Sequence, residues 1–244
     1  MNAEFRRRGI YILPNLFTTA ALFSGFFAVL QAMNGQFENA AVAIFVAIVF
    51  DGLDGRVARM THTQSAFGAE YDSLSDMVSF GVAPALVVYE WAMRGLGKLG
   101  LIAAFIYCVG AALRLARFNT NLEVADKRFF QGLPSPAAAA LVAGFVWVLI
   151  DFGWTGNDVR WAACALTLFA GITMVSNVRY YSGKDINLRR SVPFIIVVAF
   201  ALAFALIYSY PPGVLFGLCL AYALSGYVMS LLGRGKAKPV APKE

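Results

Sequence analysis

Charge is scarce in this sequence. Charged side chains make up 14% of its 244 residues, against roughly 25% in an ordinary soluble domain. That deficit excludes a water-soluble globule and leaves a chain whose mean hydropathy of +0.66 suits a bilayer. Histidine occurs once, as His62, and cysteine three times, as Cys108, Cys164 and Cys219. No CxxC pair is present, and each cysteine sits inside an apolar run. Neither a Cys/His zinc site nor a disulfide framework fits that pattern, so the thiols read as packing residues. Internal repeats and low-complexity tracts are also missing. The net charge of +6 needs no nucleic acid as a partner, because basic residues beside membrane spans meet anionic lipid.

What the chain has is apolar segments. A helix crosses the hydrocarbon core with ~20 mostly apolar residues, and eight segments qualify, near 12–32, 38–58, 74–93, 97–116, 134–151, 159–177, 192–209 and 212–232. This predicts an all-α polytopic membrane protein with about eight transmembrane helices, or six if one weak pair is misread. The first segment follows Arg6, Arg7 and Arg8. It is too long, and too poor in cleavage signals, for a signal peptide, and reads as a retained helix. The stretch before it could lie along the membrane surface. Of the twenty basic residues, only Arg94, Lys98 and Arg160 fall on one side of the alternating loops. The rest gather on the other side, which the positive-inside rule makes cytoplasmic, so both termini are predicted there. Residues 1–233 read as one membrane domain, and the polar, Pro-containing stretch 234–244 as a disordered basic tail.

The stretch from 49 to 85 carries chemistry. Asp51 and Asp54 are spaced i, i+3, and Asp72 and Asp76 are spaced i, i+4. Either spacing sets two side chains on one face of a helix. One pair closes the second segment and the other opens the third, so antiparallel packing can bring four carboxylates together at the cytoplasmic surface. Like charges at close range disfavour one another, and burying them unpaired is costly. Only Arg56 and Arg59 stand near in the sequence. Divalent cations resolve the conflict, and an all-oxygen donor set suits Mg²⁺, Mn²⁺ or Ca²⁺ rather than zinc. Four carboxylates are enough for two ions. Gly55, Gly68 and the small Ala58 allow close approach of a ligand to the backbone, and Arg59 offers a fork for phosphate. Gly52 reads as a helix-packing residue.

The run Asp51-x2-Asp54-Gly55-x2-Ala58-Arg59-x8-Gly68-x3-Asp72-x3-Asp76 resembles the signature of the CDP-alcohol phosphotransferases at every fixed position. The resemblance implies a helical membrane enzyme, working as a homodimer. Asp51, Asp54, Asp72 and Asp76 would hold a pair of Mg²⁺ or Mn²⁺ ions. Gly55, Ala58, Arg59 and Gly68 would contact the cytidine diphosphate, and Asp76 would serve as general base. CDP-diacylglycerol would be the donor, presented from the cell's inner membrane to an active site at the cytoplasmic face. His62 falls at an unfixed position of the signature and reads as a spectator.

The signature sets the donor and leaves the acceptor open. The stretches 73–85, 114–119 and 132–139, with PNLFT at 14–18, are similar to the serine-using branch of that family. Met77 stands where the glycerophosphate-using branch usually has lysine. L-serine carries a carboxylate, for which Arg114 or Arg117 could supply a forked cation, with Asn119 as a further polar partner. The alternatives are a sister enzyme using glycerol 3-phosphate or inositol phosphate, and a cation transporter, whose acids would sit nearer the bilayer midplane. Ser135 between two prolines reads as a helix start. Asn15 and Thr18 read as a helix cap or as nucleotide contacts.

Overall fold

The computed structural model describes residues 3–61, 63, 65–120, 129–181 and 194–232. The tail 234–244 and His62 lie outside the described residues. The chain is helical almost throughout: α1 (Ala3–Met33), α2 (Phe37–Thr61), α3 (Ala66–Asp76), α4 (Ala83–Val88), α5 (Lys98–Thr120), α6 (Ser135–Asp151), α7 (Gly156–Val175), α8 (Phe194–Ser209) and α9 (Pro211–Leu231). α3 and α4 belong to one rod, joined and extended by the wide π-helical turns Met77–Val82 and Tyr89–Met93. Eight rods therefore correspond to the eight apolar segments. Four of them, Leu13–Met33 in α1, α5, α7 and α9, are long and apolar enough to cross a membrane by length and composition alone. α2 falls outside that set because it carries Asp51, Asp54, Arg56 and Arg59; α6 is shorter, at 17 residues. The protein is an all-α polytopic membrane protein.

Large apolar side chains face outward, among them Phe23 and Phe26 on α1, Ile102 and Phe105 on α5, and Phe204 on α8. Soluble monomers do not expose apolar surface on this scale, whereas lipid accepts it. The interior is built from small residues. Ala28, Ala40, Ala47, Ala83, Ala103, Ala111, Ala139 and Ala143 are all buried in one core, which lets helix backbones approach closely in the absence of a hydrophobic driving force between them. The closest such approach near the carboxylates is at Gly25 of α1, where a Cβ would lie 2.6 Å from the Cα of Ser79.

The first π-helical turn has a local cause. Pro84 has no N–H to give, and its ring crowds the carbonyl four residues back, which belongs to Phe80. The freed Phe80 carbonyl accepts a hydrogen bond from the buried Tyr107 hydroxyl of α5 at 3.0 Å. The helix thus widens directly after Asp76 and is tied to its neighbour at the point of widening.

Several boundaries differ from the sequence expectation. α3 begins at Ala66 rather than near 74, because Ser65 caps it by accepting from the Gly68 N–H at 3.0 Å. The link between α2 and α3 is reduced to residues 62–65. α1 is continuous from Ala3 and carries Pro14 inside it, so Asn15 and Thr18 are interior positions and cap nothing. The links after α5 and α7 hold two short strands, β1 (Phe129–Gln131) and β2 (Arg179–Tyr181), paired antiparallel with Phe130 opposite Tyr180. Aromatic residues favour such a pairing. Tyr180 pins the ribbon to the last helix by donating to the Ala223 carbonyl at 2.8 Å.

Candidate active site

The signature residues meet at one end of the bundle, where α2 ends and α3 begins. Asp51, Asp72 and Asp76 each offer a carboxylate oxygen, and those three oxygens all lie within 4.8 Å of one another. The Asp51 and Asp76 carboxylates interact directly with each other, as do those of Asp54 and Asp72. Each such pair needs a proton or a cation between its oxygens. Asp54 is buried, 6% exposed, and accepts a hydrogen bond from the Thr18 hydroxyl of α1 at 2.8 Å. It stands beside the three-carboxylate group, linked to it through Asp72.

Among the described residues, cations near these groups are few. Arg114 of α5 acts electrostatically on Asp51 and Asp76, and Arg59 acts on Asp54. Among the described residues, two guanidinium groups against four carboxylates leave a negative surplus. The Asp72 Oδ1 is buried and has no hydrogen-bond partner among the described residues. An unsatisfied buried carboxylate oxygen at the centre of an acidic group is what a hard cation would occupy. The residues present therefore fit a divalent metal.

The remaining signature positions fall as follows. Arg59 folds back along its own helix over Gly55, whose absent Cβ would be 3.4 Å from the Arg59 Nη1. Ala58 lies in the last turn of α2, its carbonyl accepting from the Thr63 N–H. The space a Cβ on Gly68 would enter is taken by the capping Ser65 Oγ, 3.1 Å away, and by the Asn15 Oδ1, 3.5 Å away. Gly52 is exposed, and a Cβ on it would meet nothing within 4 Å. The packing role expected for Gly52 is therefore wrong; it presents bare backbone beside Asp51.

The three polar residues expected to hold the acceptor separate into two groups. Arg114 donates from Nη1 to the fully buried Ser135 Oγ at 2.6 Å, beside Asp51 and Asp76. Asn119 donates from Nδ2 to the Ser73 Oγ at 3.0 Å, next to Asp72. Arg117 turns away and reaches the Ser176 carbonyl and the Asn177 side chain at the end of α7, both at 3.5 Å. One residue escaped the sequence reading altogether. Tyr222 of α9 lies within electrostatic reach of Arg114, and its hydroxyl donates to the Tyr181 carbonyl of the ribbon at 3.3 Å. A lone tyrosine in an apolar segment gives no signal of such a position.

The family profile described as CDP-alcohol phosphatidyltransferase matches residues 11–173. The chain belongs to that family. Its matched region runs from the start of the first span almost to the end of α7 and holds all four aspartates and Arg114. Among curated family members, the chain is 36% identical over 197 residues to the CDP-diacylglycerol–serine O-phosphatidyltransferase of Helicobacter pylori, covering 80% of this chain and 82% of that protein. It is 36% identical over 231 residues to the protein of the same description from Methanocaldococcus jannaschii, covering 94% and 99%. It is 32% identical over 170 residues to the archaetidylserine synthase of Methanothermobacter thermautotrophicus, covering 69% of each. The alignment with the Methanocaldococcus jannaschii protein extends past the family profile into the last helices, where Tyr222 stands.

Proposed function

We propose that this enzyme transfers the phosphatidyl group of CDP-diacylglycerol to L-serine, giving phosphatidylserine and CMP. The observation that carries the chemistry is the gathering of Asp51, Asp72 and Asp76 within 4.8 Å, with Asp54 alongside. The choice of serine rests on relatives whose descriptions name it or its archaeal lipid product, and on a guanidinium, Arg114, beside the carboxylates.

Asp51, Asp54, Asp72 and Asp76 would hold two Mg²⁺ or Mn²⁺ ions. Bound there, divalent ions supply positive charge to the diphosphate and to the leaving CMP. Every other part is played by the chain. Gly55, Ala58 and Gly68 bring backbone close to the cytidine diphosphate, and Arg59 forks onto phosphate oxygens. Arg114, held by Ser135, receives the serine carboxylate and aims the side-chain hydroxyl at the lipid-bearing phosphorus. Asp76 accepts the hydroxyl proton as the new P–O bond forms. The bond from that phosphorus to the bridging oxygen breaks, and CMP departs with the electron pair. Most of the acceleration comes from placement and fixed charge, as expected for transfer between two bound partners.

The carboxylates lie at one end of the bundle, so the acyl chains remain in the bilayer while serine and CMP exchange with water. We place that end at the cytoplasmic face of the cell's inner membrane, on the strength of the basic loops. We take the enzyme to be a single membrane domain acting as a homodimer, as the family resemblance implies.

The test is an acceptor comparison. Purified protein receives CDP-diacylglycerol and Mn²⁺ with L-serine, glycerol 3-phosphate or inositol phosphate, one at a time, and CMP release is followed. Serine should give the fastest release. Faster release with glycerol 3-phosphate would reject the serine assignment while leaving the donor chemistry intact.

A further inference from the structure

We infer that Thr18 is a positioning residue for the metal-binding carboxylates, joining through one residue the two helices that carry them. The inference rests on the metal reading above and concerns a residue outside the family signature. Thr18 is 3% exposed, deep in the contact of α1 with its neighbours. Its hydroxyl lies 2.8 Å from Asp54 Oδ2 on α2 and 3.2 Å from the Pro14 carbonyl within α1. A hydroxyl has one proton to donate. The carboxylate is the shorter and the charged acceptor, and bonds to ionised acceptors are the stronger kind, so the proton goes to Asp54. At the same residue, the main-chain carbonyl accepts from the Ser75 hydroxyl at 3.1 Å, and Ser75 lies directly before Asp76 on the opposing rod.

One turn further along, the Ala21 carbonyl accepts from Ser79 at 3.0 Å. Gly25 lets the two backbones touch there, as described above. α1 therefore serves as a template: its backbone sets the height of the rod bearing Asp72 and Asp76, while the Thr18 side chain sets the rotation of Asp54. With Oδ2 engaged by Thr18, the rotamer of Asp54 is held with its carboxylate toward Asp72. Partners of this kind orient metal ligands, and their loss typically lowers metal affinity about 10- to 100-fold.

The test is Mn²⁺ binding to the purified full-length protein, read from the free-ion signal in electron paramagnetic resonance, for wild type and for Thr18→Val, Thr18→Ala and Thr18→Ser. Thermal unfolding without metal is measured in parallel. Valine keeps the shape and removes the hydroxyl; alanine removes both and cannot clash if valine misfolds; serine restores the donor. Val and Ala variants should bind Mn²⁺ about 10- to 100-fold more weakly, with metal-free unfolding still cooperative and lowered by no more than the loss of one buried hydrogen bond, and the Ser variant should regain most of the affinity. Wild-type affinity in a folded Val or Ala variant would overturn the role of Thr18 alone. So would a Ser variant as weak as the other two. Absence of Mn²⁺ binding to wild type would overturn the metal reading, and the inference with it.

Discussion

The Arg114 guanidinium donates to the Ser135 hydroxyl across 2.6 Å, joining α5 to the first turn of α6 beside Asp51 and Asp76. Ser135 is fully buried and follows Pro134, so its position is set by the chain entering α6. A flexible arginine is thereby held in one place next to the Asp51 and Asp76 carboxylates. If Arg114 receives the serine carboxylate, Arg114→Ala should raise the serine KM roughly 10- to 100-fold, the equivalent of a charged hydrogen bond of about 1.5–3 kcal/mol. The KM for CDP-diacylglycerol should change less. Ser135→Ala should raise the serine KM by about tenfold or less, since it loosens the arginine without removing it. Arg117→Ala should have the smallest effect of the three, because Arg117 is directed at Ser176 and Asn177. Steady-state kinetics with each substrate varied in turn measures all of these. An Arg117 variant more impaired for serine than the Arg114 variant would reverse the assignment.

Asp76→Asn removes the proposed proton acceptor while keeping the size of the side chain. Turnover should fall by roughly 10²–10⁴, the usual contribution of a general base, and further if a metal is also lost. Binding of the CDP-lipid should remain detectable by calorimetry, because Arg59 and the glycine positions are untouched. Activity near wild type would remove Asp76 from its proposed role.

A ligand that binds only the folded state stabilises it by mass action. Adding Mn²⁺ at about 100 times its Kd should raise stability by about 2.7 kcal/mol, seen as a higher Tm, and a chelator should reverse the gain. Asp72→Asn should abolish most of the response. An unchanged Tm on adding and removing Mn²⁺ would count against a metal at the carboxylates.

The contact of α5 with α7 depends on two glycines. A Cβ on Gly110 would lie 2.5 Å from the Gly171 carbonyl oxygen, and one on Gly171 would lie 2.8 Å from the Tyr107 Cα. Either alanine substitution should destabilise by about 1–3 kcal/mol through overpacking and shift Tyr107, whose hydroxyl supports the Phe80 carbonyl. Gly217 of α9 has nothing within 4 Å, so Gly217→Ala should be neutral or slightly stabilising. Thermal unfolding of the three variants separates the cases; equal behaviour would contradict the packing described.

The sequence made some of this legible and hid the rest, for physical reasons. The spacing of Asp51, Asp54, Asp72 and Asp76 showed which faces could converge, because helical periodicity relates residues within one element. The eight apolar segments showed the eight rods, because lipid imposes length and composition on each rod separately. Relations between elements were not visible. Thr18 resembled a cap because it follows Pro14 and Asn15 near a span start, yet α1 runs through that proline. Gly52 resembled a packing glycine, yet it faces open space. The widened turn after Asp76 depends on Pro84 together with Tyr107 of another helix. Tyr222 comes within electrostatic reach of Arg114 from α9, an element far off in the sequence and tied to the ribbon through Tyr180 and Tyr222.

The central claim is that the four aspartates gather divalent ions which in turn hold the diphosphate. Crystals grown with Mn²⁺ and a CDP-lipid, measured at a wavelength where manganese scatters anomalously, test it most directly. The account predicts anomalous peaks among Asp51, Asp54, Asp72 and Asp76, with the diphosphate adjoining them. An ordered CDP-lipid whose diphosphate lies elsewhere, or saturating Mn²⁺ with no peak among these carboxylates, would contradict it.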